Sequence, residues 1–250
     1  MISLRDISYF YDDKIALKDI SFDINKGEKV VLLGSNGCGK STLLRVLAGL
    51  YFAKNGEYLL EGKKITKKSV DKEFRKRVGI LFQNPESMIF NPTVRDEIAF
   101  SLREFEESDI EKRVEDIAKK FGLTHLLDKN PLYLSGGEKQ KVILASMLIY
   151  EPEILLLDEP TAAMDPKTTG WFIDMLLELK KSVVVATHDL SLAYEVSDRA
   201  IVLDEEHKKI YDGEIEELYG DLDLLTRANL IHKHRHKHKE FSHSHYHKHY

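Results

Sequence analysis

Apolar positions alternate with polar ones through the first 65 residues, broken by short turns. ISLRDISY and ALKDISFDI each read as a half-buried strand, NKGEK turns the chain, and KVVLLG follows as a strand apolar on both faces. The pattern then changes period. In GSNGCGKSTLLRVLAGL, Leu43, Leu44, Leu47 and Leu50 fall at helical spacing behind a glycine-rich turn. GEYLLEGKKI is a strand with a turn at Gly62. From about 93 to 150 the spacing stays helical: Val94, Ile98 and Leu102; Val114, Ile117 and Phe121; then Val142, Ala145, Met147, Leu148 and Ile149. Beyond it, strands and helices alternate as ILLLD, TGWFIDMLLELKK, VVVATHD, LSLAYEVSD and AIVLD. Such alternation with continuously apolar strands predicts an α/β fold whose parallel sheet is covered on both faces.

Two motifs in this frame carry chemistry. Gly34, Gly39, Lys40 and Ser41 satisfy G-x-x-x-x-G-K-S/T between the strand VVLL and the helix TLLRVLAG. The segment Gly34, Ser35, Asn36, Gly37, Cys38, Gly39, Lys40, Ser41 and Thr42 is therefore a candidate phosphate loop, with backbone amides and a helix N-terminus turned on an anion. Lys40 is expected to neutralise the terminal phosphates and Ser41 to offer its hydroxyl to magnesium, so a nucleoside triphosphate with Mg2+ is the expected ligand, and the resemblance below implies that it is ATP. In ILLLDEP, a buried strand carries Asp158 and Glu159 to its C-terminal end, where ligands of open parallel sheets lie. Asp158 is the candidate magnesium holder and Glu159 the candidate general base for an attacking water. Cys38, beside Lys40 and a helix N-terminus, is expected to have a lowered pKa and to be alkylated unless ATP shields it.

The segment LYLSGGEKQKVILA resembles the signature of ATP-binding-cassette ATPases, usually LSGGQ, and Ser135, Gly136 and Gly137 form a second amide-rich helix start. With the phosphate loop and the acidic strand in the same order, the resemblance spans about residues 1–225. It implies a P-loop, RecA-like core with a parallel sheet, an N-terminal antiparallel β subdomain, and an inserted helical subdomain at about 85–150. It further implies that Gln83 of LFQNP senses magnesium and water, that His188 of ATHD contacts the terminal phosphate, and that Asp165 of AAMDP links two subunits. Tyr11 lies 29 positions before Lys40, where the family places a ring on adenine, although Tyr9 and Phe10 stand beside it and one of the three can be a core residue. His125 and His207 match nothing in the family pattern and are expected on the surface. In the family, two cassettes pack head to tail with each ATP between one phosphate loop and the other signature. A second ATPase subunit is thus an implied partner.

The stretches YFYDDKIALKDISFDINKGEKVVLLGSNGCGKSTLL, GILFQNPESMIFNPTVRDEIAFSL and LLTRANLI resemble the ATPases of energy-coupling-factor importers, which take up vitamins, cobalt or nickel. Met88 stands where that group often has Gln, Glu138 replaces the usual signature Gln, and Lys141 stands where arginine is frequent. Only 51 residues separate Gln83 from Ser135, too few for the coiled-coil insertions of DNA-repair members. The implied partners are transmembrane coupling and substrate-binding subunits, and the implied place is the cytoplasmic face of the membrane.

Composition changes the picture at one place. The 250 residues are 42% hydrophobic and 32% charged, with a net charge of −5 that gives no reason to expect nucleic acid. A single cysteine suits a reducing compartment, and MISLRDISYF does not read as a signal peptide. The anomaly is the end, HKHRHKHKEFSHSHYHKHY. Of eleven histidines, eight fall there: His232, His234, His236, His238, His243, His245, His247 and His249. Imidazoles at alternate positions in a lysine-rich segment bind nickel or cobalt without a folded scaffold. Residues 226–250 are accordingly expected to form a disordered, metal-binding tail. The expectation is an ATPase subunit driving nickel or cobalt uptake; a vitamin importer with a metal-buffering tail, or a metal storage or delivery ATPase, are the alternatives.

Overall fold

In the computed structural model, the backbone is described for residues 1–238 and 241–248, and side chains for residues 1–231 other than Pro85. In chain order the elements open with β1 (Ile2–Tyr11), β2 (Lys14–Ile24), β3 (Lys29–Leu33), α1 (Lys40–Leu47), β4 (Asn55–Leu60), β5 (Lys63–Lys64), α2 (Lys72–Arg77) and β6 (Val78–Leu81). A helical run follows: α3 (Val94–Glu104), α4 (Ile110–Phe121) and α5 (Gly136–Leu148). The chain continues through β7 (Ile154–Asp158), α6 (Pro166–Glu178), β8 (Ser182–Thr187), α7 (Leu190–Val196) and β9 (Arg199–Leu203). It closes with β10 (Lys209–Glu214), α8 (Ile215–Gly220), α9 (Leu222–Arg227), β11 (Ile231–His238) and β12 (Phe241–Lys248).

The central sheet has the order β10-β9-β3-β8-β7-β6. The pairs from β9 to β6 are parallel, and β10 closes one edge antiparallel. A second sheet, β2-β1-β4-β5, is antiparallel throughout. The apolar runs of the sequence are explained by the period-2 geometry of a strand with both faces buried. Val30 and Leu32, Ile154 and Leu156, Val184 and Ala186 point into one core, shared with α1 and the antiparallel sheet. Their neighbours Val31 and Leu33, Leu155 and Leu157, Val183 and Val185 enter the other core, shared with α3 to α9. Each fully buried Leu or Val contributes roughly 1.5–3 kcal/mol, so both faces of every central strand stabilise the layer.

The helical run packs as a unit against that second core. Thr93 caps α3 by accepting from Asp96 N, and α4 ends at Gly122 in the left-handed conformation (φ 69°). Buried Val94, Ile98 and Leu102 share this core with Val114 and Phe121 and the apolar face of α5, as the helical spacing predicts, whereas Ile117 is only partly buried and Ala118 is the buried residue beside it.

Three differences from the sequence reading have physical causes. Leu50 is 51% exposed, because α1 stops at Leu47 and Gly49 turns the chain with φ 68°. Leu224, Leu225, Ala228, Leu230 and Ile231 are buried, so the folded core runs past 225 to Ile231. The backbone of β11 and β12 pairs antiparallel with His232 opposite His247, His234 opposite His245, and His236 opposite His243, where no regular pairing was expected. The histidine side chains themselves, and all of His249, lie outside the described residues.

Candidate functional site

The loop from Gly34 to Thr42 closes the C-terminal end of β3, next to the ends of β7 and β8. Two of its glycines are required by space and by backbone. Gly34 has φ 149°, and a Cβ there would lie 2.5 Å from the Leu203 carbonyl oxygen; Gly39 has φ 116°, and a Cβ would lie 2.4 Å from that of Ala16. Gly39 is also the N-cap of α1, in the left-handed conformation and with no side-chain cap. The first amides of α1 are thus left without a side-chain acceptor, the arrangement an incoming phosphate satisfies. Lys40 is buried and folds back on its own loop, Nζ donating to the carbonyls of Gly34 at 2.7 Å and Ser35 at 3.1 Å.

The acidic strand end stands opposite. Asp158 is buried, and burial raises its carboxyl pKa against the opposing hydrogen bond from Ser41. The Ser41 hydroxyl donates to Asp158 Oδ1 at 3.0 Å. Glu159 follows β7 directly with a left-handed φ of 45°, its amide donating to the Ala186 carbonyl at 2.8 Å. Its carboxylate receives the Thr187 hydroxyl at 3.0 Å on Oε2 and lies 2.7 Å from His188 Nδ1 on Oε1. Glu159 and His188, which are 29 positions apart in sequence, therefore share one hydrogen bond. A cleft of about 580 Å³ is lined by Tyr11, Lys40, Ser41, Gln83, Asp158 and Glu159. Hydroxyl, carboxylate and amide oxygens in one cleft are hard donors suited to magnesium, and a buried carboxylate favours a cation. Ser41, Asp158 and Gln83 are the residues that would hold it, and it would supply charge neutralisation for the phosphates.

The aromatic neighbours separate by role. Tyr9 stacks on Tyr51 with centroids 5.1 Å apart and planes at 6°, while Tyr11 is 41% exposed, lines the cleft, and has its hydroxyl 3.2 Å from Thr42 Oγ1. Met88 packs against the second core, and its sulfur accepts the Phe82 amide at 3.4 Å, pinning the turn that carries Gln83.

One expectation is overturned. Cys38 is 1% exposed, and burial pushes its thiol up, not down; the loop amides and Lys40 oppose that shift but do not outweigh it. The side chain is tucked into the core beneath the loop, so a reactive thiolate is not what this position provides.

Ser135, Gly136 and Gly137 do not join the cleft. They start α5 on another part of the surface, with Ser135 exposed. A capping box closes this helix start: Ser135 Oγ accepts from Glu138 N, and Glu138 Oε2 accepts from Ser135 N at 2.9 Å and from Ser135 Oγ at 2.6 Å. Those bonds hold the Glu138 carboxyl below its ordinary range. Asp165 lies alongside as the N-cap of α6, accepting from Lys167 N and Thr168 N, and within about a Cβ contact of Gly137. Two links tie α5 to the cleft: Lys139 pairs with Glu86 in the turn after Gln83, and Gln140 Nε2 donates to the Pro160 carbonyl at 2.9 Å.

His125 is exposed, as expected. His207, which matches nothing in the family pattern, lines the cleft from the β9–β10 loop. Nothing periodic marked it, and its neighbours in the cleft are more than 150 positions away or at the far ends of other strands. Among the described residues, no group of three or more His, Cys, Asp or Glu is placed to hold a metal ion, and no helix is long and apolar enough to cross a membrane.

Comparison with known proteins agrees with this geometry. The family described as ABC transporter matches residues 17–162. A putative ABC transporter ATP-binding protein of Caldanaerobacter subterraneus subsp. tengcongensis is 46% identical over 239 residues, covering 92% of this chain and 99% of that protein. The energy-coupling factor transporter ATP-binding protein EcfA of Methanocaldococcus jannaschii is 38% identical over 238 residues, covering 92% of this chain and 85% of that one. The solved structure of cbiO1 from Clostridium perfringens, described as part of the ABC transporter complex cbiONQ, superposes with a TM-score of 0.79 at 32% identity, covering 92% of this chain and 94% of that one. A phosphate loop, a buried Asp-Glu strand end and a histidine bonded to that Glu, on a fold shared with these proteins, make the chain a member of the ABC transporter ATP-binding family: an ATPase of the energy-coupling-factor type.

Proposed function

We propose that this chain is the ATP-hydrolysing subunit of an energy-coupling-factor importer that drives nickel or cobalt uptake through separate membrane subunits. ATP lies along the cleft with its base at Tyr11 and its phosphates on residues 34–42. Ser41, Asp158 and Gln83 hold the magnesium ion, Glu159 takes the proton of the attacking water, and His188 steadies the Glu159 carboxylate and the terminal phosphate. Ser135, Gly136 and Gly137 meet the nucleotide of a second ATPase subunit. The chain works at the cytoplasmic face of the membrane, against transmembrane coupling and substrate-binding partners.

The observation that carries the metal is the tail. Eight histidines, in two runs of four at alternate positions, follow a cassette similar to cbiO1, a protein described as part of cbiONQ. Neutral imidazole suits nickel and cobalt. His232, His234, His236, His238, His243, His245, His247 and His249 buffer the imported ion at the cytosolic exit. The test is cellular uptake of labelled nickel and cobalt, with the chain expressed beside its native membrane partners. Uptake that disappears with Glu159→Gln supports the reading and reveals the preferred ion. A complex that assembles and hydrolyses ATP yet takes up neither metal overturns it and makes the tail a buffer on a vitamin importer.

A further inference from the structure

The β9–β10 loop holds His207 in a costly conformation for a reason visible at its ring. His207 has φ 63°, in the left-handed region that disfavours a residue with a side chain. Three backbone bonds lock the turn: His207 N to Asp204 O at 3.1 Å, Asp204 N to Lys208 O at 3.0 Å, and Lys18 N to His207 O at 2.9 Å. The last of these fastens the loop to β2, two residues from Ala16, whose carbonyl is pressed against Gly39. So placed, the imidazole lies against the phosphate loop, Nδ1 3.2 Å from the Cys38 carbonyl oxygen, and forms part of the cleft wall.

That contact decides the chemistry of the other nitrogen. A carbonyl oxygen only accepts, so Nδ1 carries the proton, and in the neutral ring Nε2 is left as an acceptor. Nε2 has no protein partner among the described residues. Phosphate oxygens are acceptors and do not satisfy it; hydroxyl groups do. His207 lines the same cleft as Tyr11 and the phosphate loop, and the part of ATP that carries hydroxyl donors is the ribose.

We propose that His207 reads the sugar: Nε2 accepts a hydrogen bond from a ribose hydroxyl of bound ATP and so sets the preference for ribonucleotides. The proposal rests on the placement of ATP in this cleft, and the test separates the two. Binding of ATP, 2′-deoxy-ATP and 3′-deoxy-ATP is measured by equilibrium titration on the full chain and on His207→Gly. Glycine suits the left-handed turn, so this variant removes the ring without straining the loop, and its thermal unfolding serves as the folding control. The full chain is expected to bind ATP about three- to tenfold more tightly than one of the two deoxynucleotides, the worth of one neutral hydrogen bond. His207→Gly is expected to bind all three alike, at the weaker level. A variant that keeps the wild-type preference, or that loses ATP and both deoxynucleotides in equal measure, overturns the proposal. Wild-type ATP affinity in Lys40→Ala would instead overturn the placement of the nucleotide, and the sugar reading with it.

Discussion

The starts of helices α1 and α5 both hold glycine and serine, and both are offered to phosphate by the family pattern, yet they are built oppositely. At α1 the N-cap is Gly39, no side chain caps the helix, and Lys40 is on hand as a counter-charge. At α5 the N-cap is Ser135, and Glu138 closes a reciprocal cap over it. The first start has unsatisfied amides beside a cation, and an anion completes it. The second is already satisfied and carries a carboxylate where the anion would come. In the proposed reading, the α1 start binds phosphate within its own chain and is left incomplete, whereas the α5 start waits for the ligand of a second subunit and is capped meanwhile.

The largest effect that sharpens this contrast is confined to the α1 side. Glu159 is the acid-base candidate among the cleft residues that also bonds His188. Glu159→Gln is expected to cut turnover by roughly 10²–10⁴-fold, the usual worth of a positioned general base, while ATP still binds. Phosphate release and equilibrium binding measure the two separately; undiminished hydrolysis removes Glu159 as the base.

Next in size is the counter-charge. Lys40→Ala leaves the α1 amides in place but removes the ammonium that now donates to Gly34 and Ser35. Hydrogen bonds to charged groups are worth roughly 1.5–3 kcal/mol, so ATP affinity is expected to fall on the order of a hundredfold. Normal affinity in a folded variant would mean that α1 binds through its amides alone, and the contrast with α5 would shrink to the capping box.

How much of this was legible depended on whether a feature is local. The phosphate loop shows in sequence because its glycine spacing and its strand and helix flanks are contiguous. The double-faced strands show as unbroken apolar runs, since every residue of VVLL or ILLL enters one core or the other. Short elements without a full period, such as α2, β6, β10, α8 and α9, left no comparable trace; KEFRKR hides one buried residue, Phe74, among charges. Cys38 misled because sequence gives its nearness to Lys40 but not the depth of its sulfur, and burial outweighs the charge. His207 was invisible because its role depends on a loop that β10 and β2 fold back over the phosphate loop. Of the signature, the serine and glycines could be read, but that Glu138 would turn its carboxylate on Ser135 could not.

The smallest effect bears most directly on that last point. Glu138 makes two bonds to Ser135, and those bonds hold its carboxyl below the ordinary range, so it is ionised at neutral pH. In the proposed dimer, that charge confronts the partner's triphosphate, and the Ser135 hydroxyl must leave Glu138 to donate to it. Glutamine at 138 keeps an oxygen that can accept from Ser135, so the cap survives while the charge goes. A half-exposed charge is worth roughly 0.2–1 kcal/mol, which is up to about a fivefold change. Glu138→Gln, made in the Glu159→Gln background to hold ATP unhydrolysed, is therefore expected to strengthen ATP-dependent dimerisation by up to about fivefold in sedimentation equilibrium. The gain should shrink as salt is raised, because it is electrostatic. Unchanged or weaker association would show that Glu138 serves the dimer rather than opposing it, and the capped start of α5 would then be its binding form.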